Sequence, residues 1–247
     1  MNQSFYTGVV GAQQQMSALN VQGNNIANVN TIGFKGEKSR FTSLFHQQME
    51  SIEEGNQSTG VGARLMMTST DHTQGNIAPT GRSQDYAIRG DGYFAVVDLT
   101  TNEVTFTRNG AFEVTYYERY TGRDDENGNP IIETVNTLTD GEGRFVLGRN
   151  GNIITVHNRE EMQNIGIFDY GNYDGMLHQS GTEFLPVDKN GNLYFGTGEL
   201  VQGVLENSNV DLAESITKVI EAQRAYTMAL KMIQTSEEIE DTINRLR

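Results

Sequence analysis

Side chains that commonly do chemistry are scattered thinly along this 247-residue chain. Its four histidines, His46, His72, His157 and His178, never adopt the i, i+4 spacing that sets two imidazoles on one helical face around a metal. Cysteine is absent, which removes disulfides, thiolate metal sites and thiol nucleophiles together. Asp125-Glu126-Asn127-Gly128-Asn129 is oxygen-rich like a calcium loop, but it lacks a glutamate at the twelfth position and no flanking helices are expected. Gly141-Glu142-Gly143 and Gly196-Thr197-Gly198 lack the third glycine of a phosphate-cradling loop, and no lysine follows at Walker spacing. No Gly-x-Ser-x-Gly elbow occurs either. The expectation is a chain with no catalytic residue, no cofactor and no metal. A triad assembled from distant residues would leave no such local trace.

The placement of charge says more. Eighteen Lys+Arg against 32 Asp+Glu give a net charge of −14, which argues against nucleic acid and against an anionic membrane as partners. No run of 18 apolar residues is present, so no membrane insertion is expected. The first residues show neither a basic n-region nor a long apolar h-region, so no cleaved secretory signal is expected. Residues 1–34 carry no charged side chain and no histidine. Residues 41–207 hold 24 acids against 10 bases, and the last forty residues contain neither Gly nor Pro. An uncharged head, an acidic glycine-rich middle and a glycine-free tail follow one another.

Head and tail both read as helices. Phe5, Val9, Ala12, Met16, Leu19, Gly23 and Ile26 alternate by four and three, as a heptad seam does. In the tail, Leu212, Ile216, Val219, Gln223, Tyr226, Leu230 and Ile233 keep the same rhythm, and Ser208 or Asn209 suits the N-cap. The middle reads as strands. Asn-Gly pairs at 109, 127, 150 and 190 and Asp-Gly pairs at 91, 140 and 174 supply the positive φ that tight hairpin turns demand. Between them lie β-rich runs at 93–97, 104–107, 112–117, 144–147, 152–156, 165–168 and 193–195. In the third run, Phe112, Val114 and Tyr116 alternate with polar residues, the pattern of a half-buried strand. The polar stretch 41–83 reads as a connector with little core of its own.

A solvated amphipathic helix places charge on its outward face, whereas the head uses Gln13, Gln14, Gln15, Asn20, Gln22, Asn24 and Asn25. Amides can be covered by neighbouring polar groups without the cost of burying an unpaired ion. Packing against other copies on more than one face accounts for that surface. The five asparagines of 20–30 suit interhelix hydrogen bonds, and Gly33 fits the left-handed position after a helix. Phe34 would then pack back onto the last turn.

Residues Asn24-Asn25-Ile26-Ala27-Asn28-Val29-Asn30-Thr31-Ile32-Gly33-Phe34-Lys35 resemble the amino-terminal signature of the flagellar rod and hook axial proteins. Asp85 to Phe94, with Phe106-Thr107-Arg108-Asn109-Gly110-Ala111-Phe112, is similar to the central block of that family. Gly203 to Val210, followed by Glu221-Ala222-Gln223-Arg224-Ala225-Tyr226 and Gln234-Thr235, resembles its carboxy-terminal signature. Ile26 and Ile32 depart modestly from the usual residues, and 117–143 looks like a local elaboration. The length resembles the rod members, with a distal-rod-like connector.

The resemblance implies an α+β fold: long N- and C-terminal helices paired as a coiled coil, and a central, mostly antiparallel β domain. The expected division is 1–34 plus 207–247 for the helical core, 35–84 for an extended connector and 85–206 for a β-rich outer domain. It further implies a non-enzymatic subunit, exported by the flagellar type III apparatus, that polymerises helically with itself and other rod and hook proteins. The destination is the basal body of the bacterial flagellum, and the product a hollow drive shaft for motility. The expected self-assembly interface comprises Val9, Met16, Leu19, Asn24, Asn25, Ile26 and Asn28 in the head. In the tail it comprises Ile216, Val219, Gln223, Arg224, Tyr226, Leu230 and Ile233. Arg224 either pairs across subunits or packs with Glu221 and Met228 of its own helix. A hook or hook-associated subunit is the alternative within the family. A peptidoglycan- or carbohydrate-cleaving enzyme is the alternative outside it, and would need two carboxylates facing one cleft. Removing residues 1–34 separates these readings: assembly should be lost and a folded β domain should remain.

Overall fold

The computed structural model describes residues 3–43, 46–49, 57–60, 63–124, 130–179 and 181–246. Two compact units emerge. One gathers residues 1–29, 36–71 and 210–247, and the other residues 30–35 and 72–209. The expected connector 35–84 is therefore shared between them, and the candidate calcium-like stretch 125–129 lies outside the described residues.

The first unit is built on two helices, α1 (Gln3–Ala27) and α2 (Leu212–Arg245). They run antiparallel and close together. A Cβ at Gly8 would lie 3.1 Å from Ile233 Cγ1, and one at Gly11 would lie 4.0 Å from Ala229 Cβ. Small residues on both sides make that approach feasible. On α2, Ser215, Ala222 and Ser236 are buried. With Ala229 they recur every seven residues, interleaved with half-buried Val219, Tyr226 and Ile233. The expected tail seam is thus displaced: Leu212, Ile216, Gln223 and Leu230 are exposed. Bulky residues share the periodicity of the small ones, but only the small ones let the backbones come this close. The cap also differs from expectation. Asp211 Oδ1 accepts from the N–H groups of Ala213 and Glu214 at 2.8 and 3.1 Å, because the Asn209 amide is already engaged, donating to Thr73 O at 3.0 Å.

Also in this unit are β1 (Glu37–Ser43), β2 (His46–Met49), β3 (Gln57–Gly60) and β4 (Ala63–Thr70). β1 pairs antiparallel with β4, from Glu37 opposite Thr70 to Ser43 opposite Ala63, and β2 pairs with β3. A ladder nested in sequence thus stands where an irregular connector was expected. Its strands are rich in Ser, Thr and Gln rather than in the alternating apolar residues that announce a strand. Asn25 is buried and forms a two-bond pair with the β1 backbone. Its Nδ2 donates to Glu37 O, and its Oδ1 accepts from Glu37 N, both at 2.8 Å. This amide serves a strand end, not the interhelix bond expected of it.

The second unit begins with β5 (Ile77–Pro79) and β6 (Tyr86–Arg89), which pair with the late strands β17 (Val204–Glu206) and β16 (Glu199–Gln202). Between them in sequence lies a larger antiparallel sheet. Its central strand is β7 (Tyr93–Asp98), flanked by β8 (Glu103–Thr107) on one edge. On the other edge are β11 (Phe145–Val146) and β12 (Ile167–Tyr170). The hairpin β9 (Glu113–Asp124) and β10 (Pro130–Thr139) joins through β11. On the far side of β8 lie β14 (Glu183–Leu185) and β13 (Leu177–His178), while β15 (Leu193–Phe195) pairs with β12.

β7 explains why its sequence is almost continuously apolar. Phe94 and Val96 enter one core with Ile88, Phe112, Leu138 and Val146, while Tyr93, Ala95 and Val97 enter another with Phe106, Phe168 and Phe184. A strand buried on both faces has no polar side to alternate with. The run 152–156 forms only isolated bridges, at Ile153 and Thr155, not a strand. Phe112 is buried as the alternation predicts, but Tyr116 is exposed because β9 has by then left the core and pairs with β10 alone.

The helix contact gives a paired test. Gly8→Leu should overpack against Ile233, costing about 1–3 kcal/mol and lowering the midpoint of the helical circular-dichroism transition. Gly23→Ala, with nothing within 4 Å of the added carbon, should instead raise it, by about 1 kcal/mol.

Candidate assembly interface

The helix pair in the first unit keeps large apolar side chains on its outside. Ile216, Ile220, Leu230, Met232, Ile239 and Ile243 are exposed on α2, with Met228 exposed at 69%. On α1, Met16 and Tyr6 are exposed too. The expected interface residues divide accordingly. Met16, Asn24, Ile216, Gln223, Arg224 and Leu230 face outward, whereas Val9, Leu19, Ile26, Asn28, Val219, Tyr226 and Ile233 are half-buried and Asn25 is buried. Asn28 Nδ2 folds back onto Asn24, donating to its backbone and side-chain oxygens at 2.9 Å each. Exposed apolar surface on this scale marks a place where another macromolecule sits.

The second unit holds a different kind of site, at the places where the chain passes to and from the first. Glu206, the last residue of β17, is fully buried (0% exposed) between two cations that are almost as enclosed, Lys35 at 1% and Arg108 at 3%. Lys35 Nζ lies 2.6 Å from Glu206 Oε1, and Arg108 Nη1 lies 3.1 Å from Oε2. Most of the remaining hydrogen-bonding capacity is matched, although Arg108 Nε is buried without a partner among the described residues. The Gly75 N–H donates to Glu206 Oε1 at 2.8 Å, Lys35 Nζ donates to Thr73 O at 2.7 Å, and Arg108 Nη2 donates to Gly90 O at 2.7 Å. The main chain joins in, with Gly33 N–H donating to Glu206 O at 2.7 Å. Arg108 also stands 5.2 Å from the ring centroid of Tyr93, a cation–π contact. Burial pushes the Tyr93 phenol well above its ordinary range, against the pull of Arg108, so it stays a neutral ring.

Gly33 shows how tightly this place is built. Its φ of +69° is left-handed, and a Cβ there would lie 2.4 Å from Asn109 N and 2.5 Å from Arg108 C. Phe34, expected to close a helix end, belongs to this unit and is buried within the chain.

Comparison with known proteins converges on these same segments. The family described as "Flagella basal body rod protein" matches residues 5–35, ending on Lys35. The one described as "Flagellar basal body rod FlgEFG protein C-terminal" matches residues 201–246, which contain Glu206. Across nearly the whole length, the chain is 32% identical to the flagellar basal-body rod protein FlgG of Bacillus subtilis, covering 97% of each. It is 31% identical to FlgG of Buchnera aphidicola subsp. Schizaphis graminum, covering 98% of this chain and 99% of that protein. The chain belongs to the flagellar basal-body rod protein family. A further relative, the flagellar hook-basal body complex protein FlhP of Bacillus subtilis, is 27% identical over all of both chains.

In this member of the rod family, the three stretches that carry the resemblance meet in one buried ion cluster: Lys35 from the first, Arg108 from the second, Glu206 from the third. Sequence reading singled out these stretches without assigning the ions. One signal was available: Lys35 is the first charged residue after 34 uncharged ones. Nothing comparable marks Glu206, which is one acid among many in the middle region.

Glu206→Gln would leave two enclosed cations without a carboxylate, and should cost about 3–5 kcal/mol in chemical denaturation. Lys38→Ala, which removes an exposed ion pair to Asp71, should cost less than about 1 kcal/mol in the same assay.

Proposed function

We propose that this chain is a structural, non-enzymatic subunit of the bacterial flagellar basal-body rod. It polymerises helically with copies of itself, and with other rod and hook proteins, into the hollow shaft that crosses the envelope for motility. One observation carries the proposal: many bulky apolar residues of α2, with Met16 and Tyr6 of α1, stay exposed while small residues take much of the contact between the helices. Such a pair can bury its apolar surface only against something beyond itself. Repetition of one such contact between identical subunits gives an open helical array rather than a closed ring.

On this reading the two helices act together as a short coiled coil, with its exposed residues making the subunit contacts and half-buried ones at the edge of the seam supporting them. Val9, Met16, Leu19, Asn24, Ile26 and Asn28 serve on α1, and Ile216, Val219, Gln223, Arg224, Tyr226, Leu230 and Ile233 on α2. Asn25 supports the interface from within by holding β1. The β unit, with its acidic surface, keeps the free subunit soluble. Delivery through the flagellar type III export apparatus completes the scheme.

The test is a truncation, with its boundary set by the fold. Residues 30–35 belong to the β unit, so the cut belongs after residue 29, not after residue 34. The chain lacking residues 1–29 should form no filaments by negative-stain electron microscopy under conditions where the intact chain does, while keeping its strand signal in circular dichroism. Filaments from the truncated chain would overturn the proposal. Release of soluble sugar from purified peptidoglycan by the intact chain would overturn the non-enzymatic part.

A further inference from the structure

We propose that neighbouring copies engage through a staggered contact between their α2 helices, with the exposed last turns of one copy seated on a cationic groove midway along α2 of the next. This rests on the self-assembly reading above and names the two surfaces that meet.

Charge along α2 is segregated. From Ala222 to Ser236 the only charged residues are Arg224 and Lys231, whereas Glu237, Glu238, Glu240 and Asp241 then follow within five positions. Arg224 and Lys231 line a shallow groove of about 380 Å³ with Ile220, Gln223, Thr227 and Met228. At 100° per residue these positions lie opposite the buried line of Ser215, Ala222 and Ser236, on the face turned away from the helix's own core. Among the described residues, neither Arg224 nor Lys231 has an ion-pair partner; the one pair within α2 joins Lys218 to Glu214. Cation and apolar group thus stand side by side, both uncovered.

The last turns of α2 are the complement. Every residue from Glu237 to Leu246 is exposed, including Ile239, Ile243 and Leu246, the last at 84%. Such a helical segment leaves apolar and acidic residues, along with Arg245, open to a partner. It offers four carboxylates where the groove offers two cations, and isoleucines and leucine where the groove offers Ile220 and Met228. In a chain of net charge −14, a groove without an acid among its lining residues favours an acidic occupant, and these turns carry the densest group of acids on α2 beside exposed apolar residues.

Spacing fixes the stagger. The mean positions of the two charge sets, Arg224 with Lys231 and the four acids from Glu237 to Asp241, lie 11–12 residues apart, or about 17 Å at 1.5 Å per residue. Two α2 helices running the same way with that offset match one acidic end to one groove. Each copy then keeps a free groove or a free end for the next, so the contact repeats without closing. Helices running in opposite directions would satisfy both patches at once and stop at a dimer.

Sedimentation velocity on the full chain tests this, using Arg224→Glu/Lys231→Glu as one variant and Glu237→Lys/Glu238→Lys/Glu240→Lys/Asp241→Lys as the other. All six positions are exposed, and helical circular dichroism checks that each variant folds; a milder Arg224→Gln/Lys231→Gln chain guards against misfolding. The wild-type chain should grow in size with concentration, less so at high salt, where exposed charges are screened. Each charge-reversed variant alone should stay monomeric, the glutamine variant should associate about tenfold more weakly, and an equimolar mixture of the two reversed variants should recover growth past the dimer. Variants that associate like wild type, or a mixture that recovers nothing, would overturn the charge contact. A mixture that stops at a dimer would overturn the staggered, same-direction arrangement. A wild-type chain that stays monomeric at every concentration would overturn the self-assembly reading itself, and is told apart from the other failures by that control.

Discussion

A single enclosed carboxylate, Glu206, holds together stretches of the β unit that are far apart in sequence. Burying an ion in a low-dielectric interior is strongly unfavourable unless its partners and hydrogen bonds are complete. Here two cations and the Gly75 N–H meet the carboxylate, the carbonyls of Thr73 and Gly90 accept from the two cations, and the Gly33 N–H holds the Glu206 main chain. In sequence Gly33, Lys35, Thr73, Gly75 and Glu206 lie near the chain's passages between units, after residues 29, 35, 71 and 209, whereas Gly90 and Arg108 lie well inside the β unit. The cluster therefore ties separate stretches of the β unit to one point. An apolar plug of similar volume could be as stable, but it would not demand three particular residues at once. That selectivity fits the observation that each stretch shared with the rod family contributes one ion.

The helix pair solves a different problem with the opposite chemistry. No charge is spent on its inner seam, and little apolar surface either: glycine, alanine and serine occupy the positions that would hold leucine in a self-sufficient coiled coil. Close backbone approach gains van der Waals contact, but it leaves the large apolar side chains outside. Much of the apolar surface of α2 thus stays exposed, the surface that the proposed assembly would cover. Uncharged α1 completes the design, since amides on a surface destined for burial carry no ionic desolvation cost.

How much of this was legible in the sequence differs by element. The two helices announced themselves through period and through the absence of Gly and Pro in the tail, and β7 through its apolar run. The tail seam was misplaced because a heptad of bulky residues and one of small residues run along the same helix, and periodicity alone cannot say which faces inward. The ladder of β1 to β4 was hidden by polar strand residues such as Thr68, Ser69 and Thr70. Asp211 was overlooked as a cap because the earlier Asn209 is an equally good candidate until its tertiary partner at Thr73 is known. The ion cluster was invisible in principle: its three charges are separated by up to 171 residues, and only the fold brings them together.

That separation has a kinetic side. Joining Lys35 to Glu206 closes a loop of 171 positions, which costs about 2 kcal/mol more chain entropy than closing a loop of roughly 20. Distant contacts of this kind slow the search for the native state. Strands β16 and β17 deepen the delay, because β5 and β6 wait for partners made more than a hundred residues later. A chain emerging start-first can complete its large sheet by Phe195, but β5 and β6 stay without their partner strands until its final fifth arrives.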